Sequence, residues 1–241
     1  AASTRFPYAE HFRSSRGLDL VWTGWTAVDQ VAAELEPHGL RLTALHAQCP
    51  LEDDALPAVL GQRAAQAADL GATYLFVSAH AGEMSKREAY ERLRRLGDAV
   101  GTHQVYLAME THPDLCQNAA NMLETMAGVD HPWVGINYDT ANVLYYNEGV
   151  DTVGELERVT DYVRGVHFKD TCGKFKDGNF PVFGEGVVDF AAVDQVLTSG
   201  GYTGPCAMEL EGPTFNAQDR ADLAAKVARC VDHLRRVGAF A

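Results

Sequence analysis

The chain has 241 residues and a formal charge of −13, with 33 acidic against 20 basic residues. That balance argues against a grip on nucleic-acid phosphates or an anionic membrane, and no apolar run approaches the roughly 18–20 residues of a membrane span. Five cysteines, an odd number with no Cys-x-x-Cys pair, argue against a disulfide framework and a zinc-finger site, and fit a cytoplasmic protein with reduced thiols.

The first residues, AASTRFPYAEHF, carry no apolar signal-peptide core and no initiator Met, so the start reads as trimmed or incomplete. From there, strand-length apolar runs alternate with helix-length amphipathic stretches. The strands are expected over residues 18–25, 40–47, 72–80, 105–111, 133–140, 163–170 and 205–212. Segments such as LPAVLGQRAAQAADLG and KREAYERLRRLGDAVG supply the helices. Ser85 and Asp189 stand where N-caps belong, and Gly71, Gly97, Gly101, Gly128 and Gly201 fall near helix ends, where glycine suits a left-handed cap. Residues 171–188 form the one long loop, a length that in compact domains is commonly functional.

Strands without strict polar alternation are usually buried on both faces, which implies a parallel sheet covered by helices. Seven strands are clear, and an eighth must lie in the first few residues or be missing. No Gly/Ser linker or low-complexity tract divides the chain, so residues 1–241 read as one domain. A doubly wound sheet competes with a (β/α)8 barrel. No GxGxxG follows the first clear strand and no P-loop is present, which favours the barrel.

Four polar residues close or sit in four successive runs: Glu110 in VYLAMET, Asp139 in VGINYDT, His167 in VRGVHFKD and Glu209 in PCAMELEG. A lone acid at a strand end is commonly a helix cap or a surface charge. Four that converge at one sheet end make an oxygen-rich site for a divalent cation, because three carboxylates repel one another without one. Residues i and i+2 of a strand face the same way, so Glu110 pairs with His112, His167 with Lys169 and Glu209 with Glu211. The lower member of each pair is set for the metal and the upper for substrate. His112 and Lys169 are candidates for a substrate oxygen or phosphate, Glu211 for sugar hydroxyls. The alternative for His112 and Lys169 is a solvated loop position. Glu185 reads as a residue that structures the long loop. Trp22 and Trp25 would wall a sugar or pack in the core.

The motifs E-T-H-P-D, Y-D-T-A-N, V-H-F-K-D, F-G-E-G-x-V-D-F and G-Y-x-G-x-x-x-x-E resemble the xylose-isomerase-like TIM barrels of the sugar phosphate isomerase/epimerase superfamily. Ketose 3-epimerases, inosose dehydratases and hydroxypyruvate isomerases belong to it. The resemblance runs from about Leu18 to the end and implies a (β/α)8 barrel, its first strand short or missing at the N-terminus. It also implies one divalent metal held by Glu110, Asp139, His167 and Glu209, with Mn2+, Co2+ or Mg2+ preferred over Zn2+. In ketose 3-epimerases of the superfamily the two metal-bound glutamates also move the substrate proton, and these map onto Glu110 and Glu209. His46 and His80 end strands, where histidines of the superfamily often face the pocket. One position departs from the pattern: many relatives carry His three residues after the metal-binding Asp, and this chain has Asn142. Asn can hydrogen-bond a substrate hydroxyl but cannot carry a proton at neutral pH.

Metal-dependent isomerisation or epimerisation of a sugar or keto-sugar is therefore expected, by proton abstraction next to a carbonyl through an enediolate. A dehydratase of inosose or dehydroshikimate type on the same barrel is the main alternative, and a sugar-binding subunit without its own catalysis is a third. No Gly-rich phosphate cradle is visible, and the basic candidates Lys169, Lys174 and Lys176 lie in or beside the long loop, which favours an unphosphorylated substrate. The resemblance also points to a homo-oligomer.

Overall fold

A computed structural model describes residues 41–216 and 219–239, together with Ala33 and Pro37. The expected strand over 18–25, the eighth strand, Trp22 and Trp25 lie outside the described residues. Six strands are described: β1 Ala44–His46, β2 Tyr74–Val77, β3 Tyr106–Glu110, β4 Val134–Asp139, β5 Val163–Phe168 and β6 Cys206–Met208. Each falls inside a run expected to be a strand. They form one sheet in the order β1-β2-β3-β4-β5-β6, and every pairing is parallel. A doubly wound sheet reverses its strand order at a switch point, and no reversal occurs here among the described strands.

Among the described residues, seven α-helices with both ends given accompany these strands: α1 Leu56–Asp69, α2 Lys86–Gly101, α3 Ala119–Val129, α4 Asn142–Tyr145, α5 Thr152–Val159, α6 Phe190–Ser199 and α7 Arg220–Arg236. The sequence of α2 shows why it forms. Ser85 accepts from the Glu88 N–H, and Ala89, Leu93, Leu96 and Val100 recur at helical spacing on its buried face. Each fully buried leucine of that face contributes roughly 1.5–3 kcal/mol. Asp189 likewise caps α6 by accepting from Ala192 N–H at 3.0 Å. All six residues of β4 are buried, as expected of a strand covered by helices on one face and by the sheet interior on the other. Among the described residues no helix is long and apolar enough to cross a membrane, and all five cysteines are free thiols.

The glycines divide into two kinds. Gly71 and Gly201 have φ of +79° and +71° and end α1 and α6 as expected. Gly97, Gly101 and Gly128 do not cap their helices. A Cβ on Gly97 would meet His131 at 2.4 Å, on Gly101 the Trp133 ring at 2.3 Å and on Gly128 the Tyr90 ring at 2.3 Å. They are close-packing positions where α2 and α3 meet each other and the entry to β4.

Strand register explains how residues at different strand depths reach one point. Glu110 is paired with Asn137, two residues before Asp139. Asp139 is paired with His167. His167 is paired with Ala207, two residues before Glu209. The candidate ligands therefore climb four residues across three strand steps. A tilted sheet with eight strands and a shear of eight climbs about one residue per strand, so these four lie near one level of the barrel axis.

The long loop over residues 171–188 contains no helix or strand. It is organised by Asp170, which is buried at the end of β5. Its carboxylate accepts from the backbone N–H groups of Thr171 (2.9 Å), Gly184 (2.8 Å), Gly186 (3.0 Å) and Val188 (3.2 Å). A Cβ at Gly186 would lie 2.2 Å from that carboxylate, so the close approach needs glycine. Glu185 pairs with Arg229 and ties the loop to α7.

Candidate active site

Glu110, Asp139, His167 and Glu209 each offer one ligand atom, and these atoms lie within 4.8 Å of one another. His167 is the hub. Its Nδ1 is 2.8 Å from Glu110 Oε1, 3.1 Å from Glu209 Oε2 and 4.0 Å from Asp139 Oδ2. Phe76 closes the ring from β2, edge-on to His167 at 4.7 Å between centroids.

Asp139 and Glu110 each have one oxygen held by hydrogen-bond donors and the other turned toward His167. Asp139 Oδ1 accepts from the N–H groups of Ala141 (2.8 Å) and Asn142 (2.7 Å), the first residues around α4. Its Oδ2 is buried and accepts no hydrogen bond. Glu110 Oε2 accepts from Ser78 Oγ at 3.3 Å and lies 3.4 Å from His112 Nδ1. Glu209 follows β6, whose ladder is extended by the Glu209 N–H donating to Phe168 O at 2.9 Å.

Electrostatics reflects this crowding. Burial pushes the Asp139 carboxyl up to about 8 against the pull of Lys169, and the Glu209 carboxylate adds to the push. Burial alone would also raise Glu209. There the His167 hydrogen bond and the Lys169 charge win and hold it well below the usual carboxylate range. Burial opposes a charge on His167 as well, but its bonds to Glu110 and Glu209 raise it to about 10. An oxygen-rich donor set with one imidazole, a buried Asp oxygen lacking a donor and carboxylates that repel one another fit a divalent cation. The four residues are thus able to hold a metal.

Above this level the upper pair members divide. Lys169 is buried, at 1% exposure, and is not a solvated loop residue. Its Nζ donates to Asn142 Oδ1 at 3.0 Å and to Glu209 Oε2 at 3.4 Å, pairs with Glu211, and lies 3.6 Å from Asp139 Oδ2. Phe180, delivered by the long loop, covers it at 4.4 Å. Burial opposes the Lys169 charge, but Asp139, Glu209 and Glu211 more than offset that and raise its pKa above the usual lysine value. His112 packs against Tyr146 at 5.3 Å and is half-buried. His46 stacks on Phe76 at 4.9 Å, and burial lowers both His46 and His112 against the pull of Glu110.

A cavity over the strand ends is lined by the candidate residues His46, Glu110, His112, Asn142, His167, Lys169, Glu209 and Glu211. His80 is not among its walls. It is exposed, 6.3 Å from the His112 ring, and borders a neighbouring groove with His46 and Ser78. Sequence reasoning missed Ser78 and Asp170. Ser78 had a signal, since it alternates with Phe76 and His80 along one strand end. Asp170 stands in the V-H-F-K-D motif, but its role had no local signal, because its partners lie up to 18 residues away.

A family model described as xylose isomerase-like TIM barrel matches residues 6–236. The L-ribulose-5-phosphate 3-epimerase UlaE of Shigella flexneri is 28% identical over 232 residues, which span 88% of this chain and 78% of the relative. An inosose dehydratase of Bacillus licheniformis is 32% identical over 138 residues, spanning 51% of this chain and 45% of the relative. Among solved structures, a xylose isomerase domain protein from Planctomyces limnophilus has the same fold, with a TM-score of 0.70 at 21% identity. That match covers 88% of this chain and 84% of the other.

Proposed function

The chain belongs to the xylose isomerase-like TIM barrel family, and from that premise we propose that it is a divalent-metal-dependent isomerase or epimerase of a sugar or keto-sugar. The observation that carries this reading is the meeting of Glu110, Asp139, His167 and Glu209 within 4.8 Å. Sugar epimerase and dehydratase relatives give the reaction family its plausibility.

When bound, the cation supplies positive charge next to the oxygen on which negative charge develops as the substrate loses its proton. The protein supplies the rest. Glu110 comes from β3 and Glu209 from beyond β6, with Asp139 and His167 between them in the sheet. Two carboxylates arriving from separated strands can address opposite faces of one substrate carbon. Glu110 takes the proton from one face and Glu209 returns a proton on the other. Asp139, with one oxygen tied to two backbone amides, keeps its position and does not move protons. Asn142 offers its carboxamide to a substrate hydroxyl, and its Oδ1 is already oriented by Lys169. The walls contributed by Tyr145, Tyr146 and Phe180 shield the reacting atoms from water.

A panel of ketoses and aldoses incubated with Mn2+, Co2+ or Mg2+ tests the proposal. Epimer or isomer formation that stops on chelation is the expected result. Full turnover by both Glu110→Gln and Glu209→Gln would refute the acid–base assignment, and metal analysis that finds no bound cation refutes the site. A dehydratase is the second reading, favoured by the inosose dehydratase relative. It predicts an unsaturated product, one water lighter than the substrate, in place of an epimer.

A further inference from the structure

We propose that this site is built for an uncharged sugar and discriminates against its phosphate esters. The proposal rests on reading the site as one for a sugar on a divalent cation, and it narrows the substrate class within that reading.

The first ground is local charge. Glu110, Asp139, Glu209 and Glu211 bring four carboxylates to the cavity and Lys169 one ammonium. A divalent cation leaves the assembly one charge negative. Lys169 is no spare anchor for a phosphate, because its ammonium already faces Asn142, Glu209 and Glu211 and Phe180 covers it. A phosphate dianion would have to displace these partners and would meet the same carboxylates.

The second ground is the state of the helix N-termini around the strand ends, where phosphates are often held by free N–H groups and the helix dipole. From α3 onward each of these ends already serves a carboxylate of this chain. Glu155 Oε2 accepts from the first N–H of α3. Asp139 accepts from Asn142 N–H of α4 at 2.7 Å. Asp151 accepts from Val153 and Gly154 of α5, Asp189 from Ala192 of α6 and Asp219 from Ala221 of α7. These acids occupy N–H groups that a phosphate would otherwise use, although Glu155, Asp151, Asp189 and Asp219 do not themselves line the cavity.

The third ground is the wall beyond the carboxylates. Tyr145, Tyr146 and Phe180 offer aromatic surface, whose faces are electron-rich and suit the C–H face of a sugar ring better than an anion. The loop lysines do not compensate: Lys176 lies over the exposed Phe175 ring at 5.0 Å, and neither it nor Lys174 lines the cavity. Arg41 does line it, but it stands five residues before His46. It precedes β1, whereas the metal-ligand candidates lie at or beyond the C-terminal ends of their strands.

The test uses the full chain loaded with Mn2+ and two matched pairs, L-ribulose with L-ribulose 5-phosphate and D-fructose with D-fructose 6-phosphate. Binding is read by calorimetry at low ionic strength, without any need for turnover. At least tenfold tighter binding of the uncharged member is expected in any pair that binds. Glu211→Gln, which removes one carboxylate from the wall, should narrow that ratio at least threefold, and so should added salt. Equal or tighter binding of a phosphate ester overturns the proposal, as does binding of no member of either pair. Failure of the broader reading would appear elsewhere, as absence of bound cation or as full turnover by the Glu110 and Glu209 variants.

Discussion

Asp139 and Glu209 belong to one cluster of acids, yet the fold holds them by different means. Asp139 ends a six-residue strand that is buried throughout, its side chain has no exposure, and one oxygen is tied to two backbone amides. Glu209 follows a three-residue strand whose residues are all half-buried, its side chain is 24% exposed, and the side chains of His167 and Lys169 pair with its carboxylate. Backbone amides cannot move without unfolding a turn, whereas side-chain partners can swing. A fixed ligand and an adjustable one within a single cluster suit a site that must both keep a cation and exchange a proton.

The sharpest break of this contrast is substitution at each acid. Asp139→Ala should abolish cation retention, seen as loss of bound Mn2+ after desalting. Glu209→Gln should keep much of the cation but lose about 10²–10⁴ in kcat, the usual worth of a general acid or base. If both variants lose the cation equally, the two acids are the same kind of ligand and the contrast fails.

Lys169 comes next in size. It is the cation that lets Glu209, Glu211 and Asp139 sit together in the absence of metal. Lys169→Met should destabilise the metal-free protein by about 3–5 kcal/mol, because removing one partner of a buried ion cluster leaves the others uncompensated. Denaturant midpoints with and without Mn2+ check this. The deficit should shrink when Mn2+ is present, and an equal deficit in both conditions would mean that Lys169 acts through packing alone.

How much of this arrangement the chain discloses in linear form depends on the range of the interactions. The six described strands and the caps at Ser85 and Asp189 rest on neighbours within a few residues, and periodicity finds them. Glu110, Asp139, His167 and Glu209 are legible because each closes or sits in a run of the same kind, the first three at near-regular spacing. The burial of Lys169 is not legible, since it depends on carboxylates from β4 and from beyond β6 that only the fold brings together. Gly97, Gly101 and Gly128 mislead for the same reason: near a helix end, glycine has the same appearance whether it caps or makes room for Tyr90, His131 or Trp133. His80 shows the limit of alternation, because it lies three residues past the end of β2 at Val77 and borders the neighbouring groove.

Asp170 extends the comparison beyond the metal cluster, as a second acid held by backbone amides. Asp170→Asn keeps shape but places an amide donor against N–H groups that need an acceptor. A loss of about 2 kcal/mol in stability follows from the lost charge-assisted bonds. Because the loop carries Phe180 onto Lys169, hydrogen exchange over residues 171–188 should rise while the strands stay protected. A uniform rise across the protein would instead make Asp170 part of the general core.

The smallest effect belongs to Ser78, and it tests whether side-chain tethers matter to the adjustable acids at all. Glu110 Oε1 faces His167, and Oε2 accepts from the Ser78 hydroxyl at 3.3 Å with His112 Nδ1 3.4 Å away. Ser78→Ala removes one donor but leaves His112, so Glu110 loses orientation and not its charge. A hydrogen bond to a charged group contributes about 1.5–3 kcal/mol net, and at 3.3 Å the low end applies, which converts to roughly a tenfold fall in kcat. Cation content should be unchanged, since the oxygen facing His167 is untouched. Ser78→Thr keeps the hydroxyl and should recover most of the rate. If Ser78→Ala lowers cation content as Asp139→Ala does, Glu110 is anchored as firmly as Asp139 and the division between fixed and adjustable acids must be redrawn around Glu209 alone.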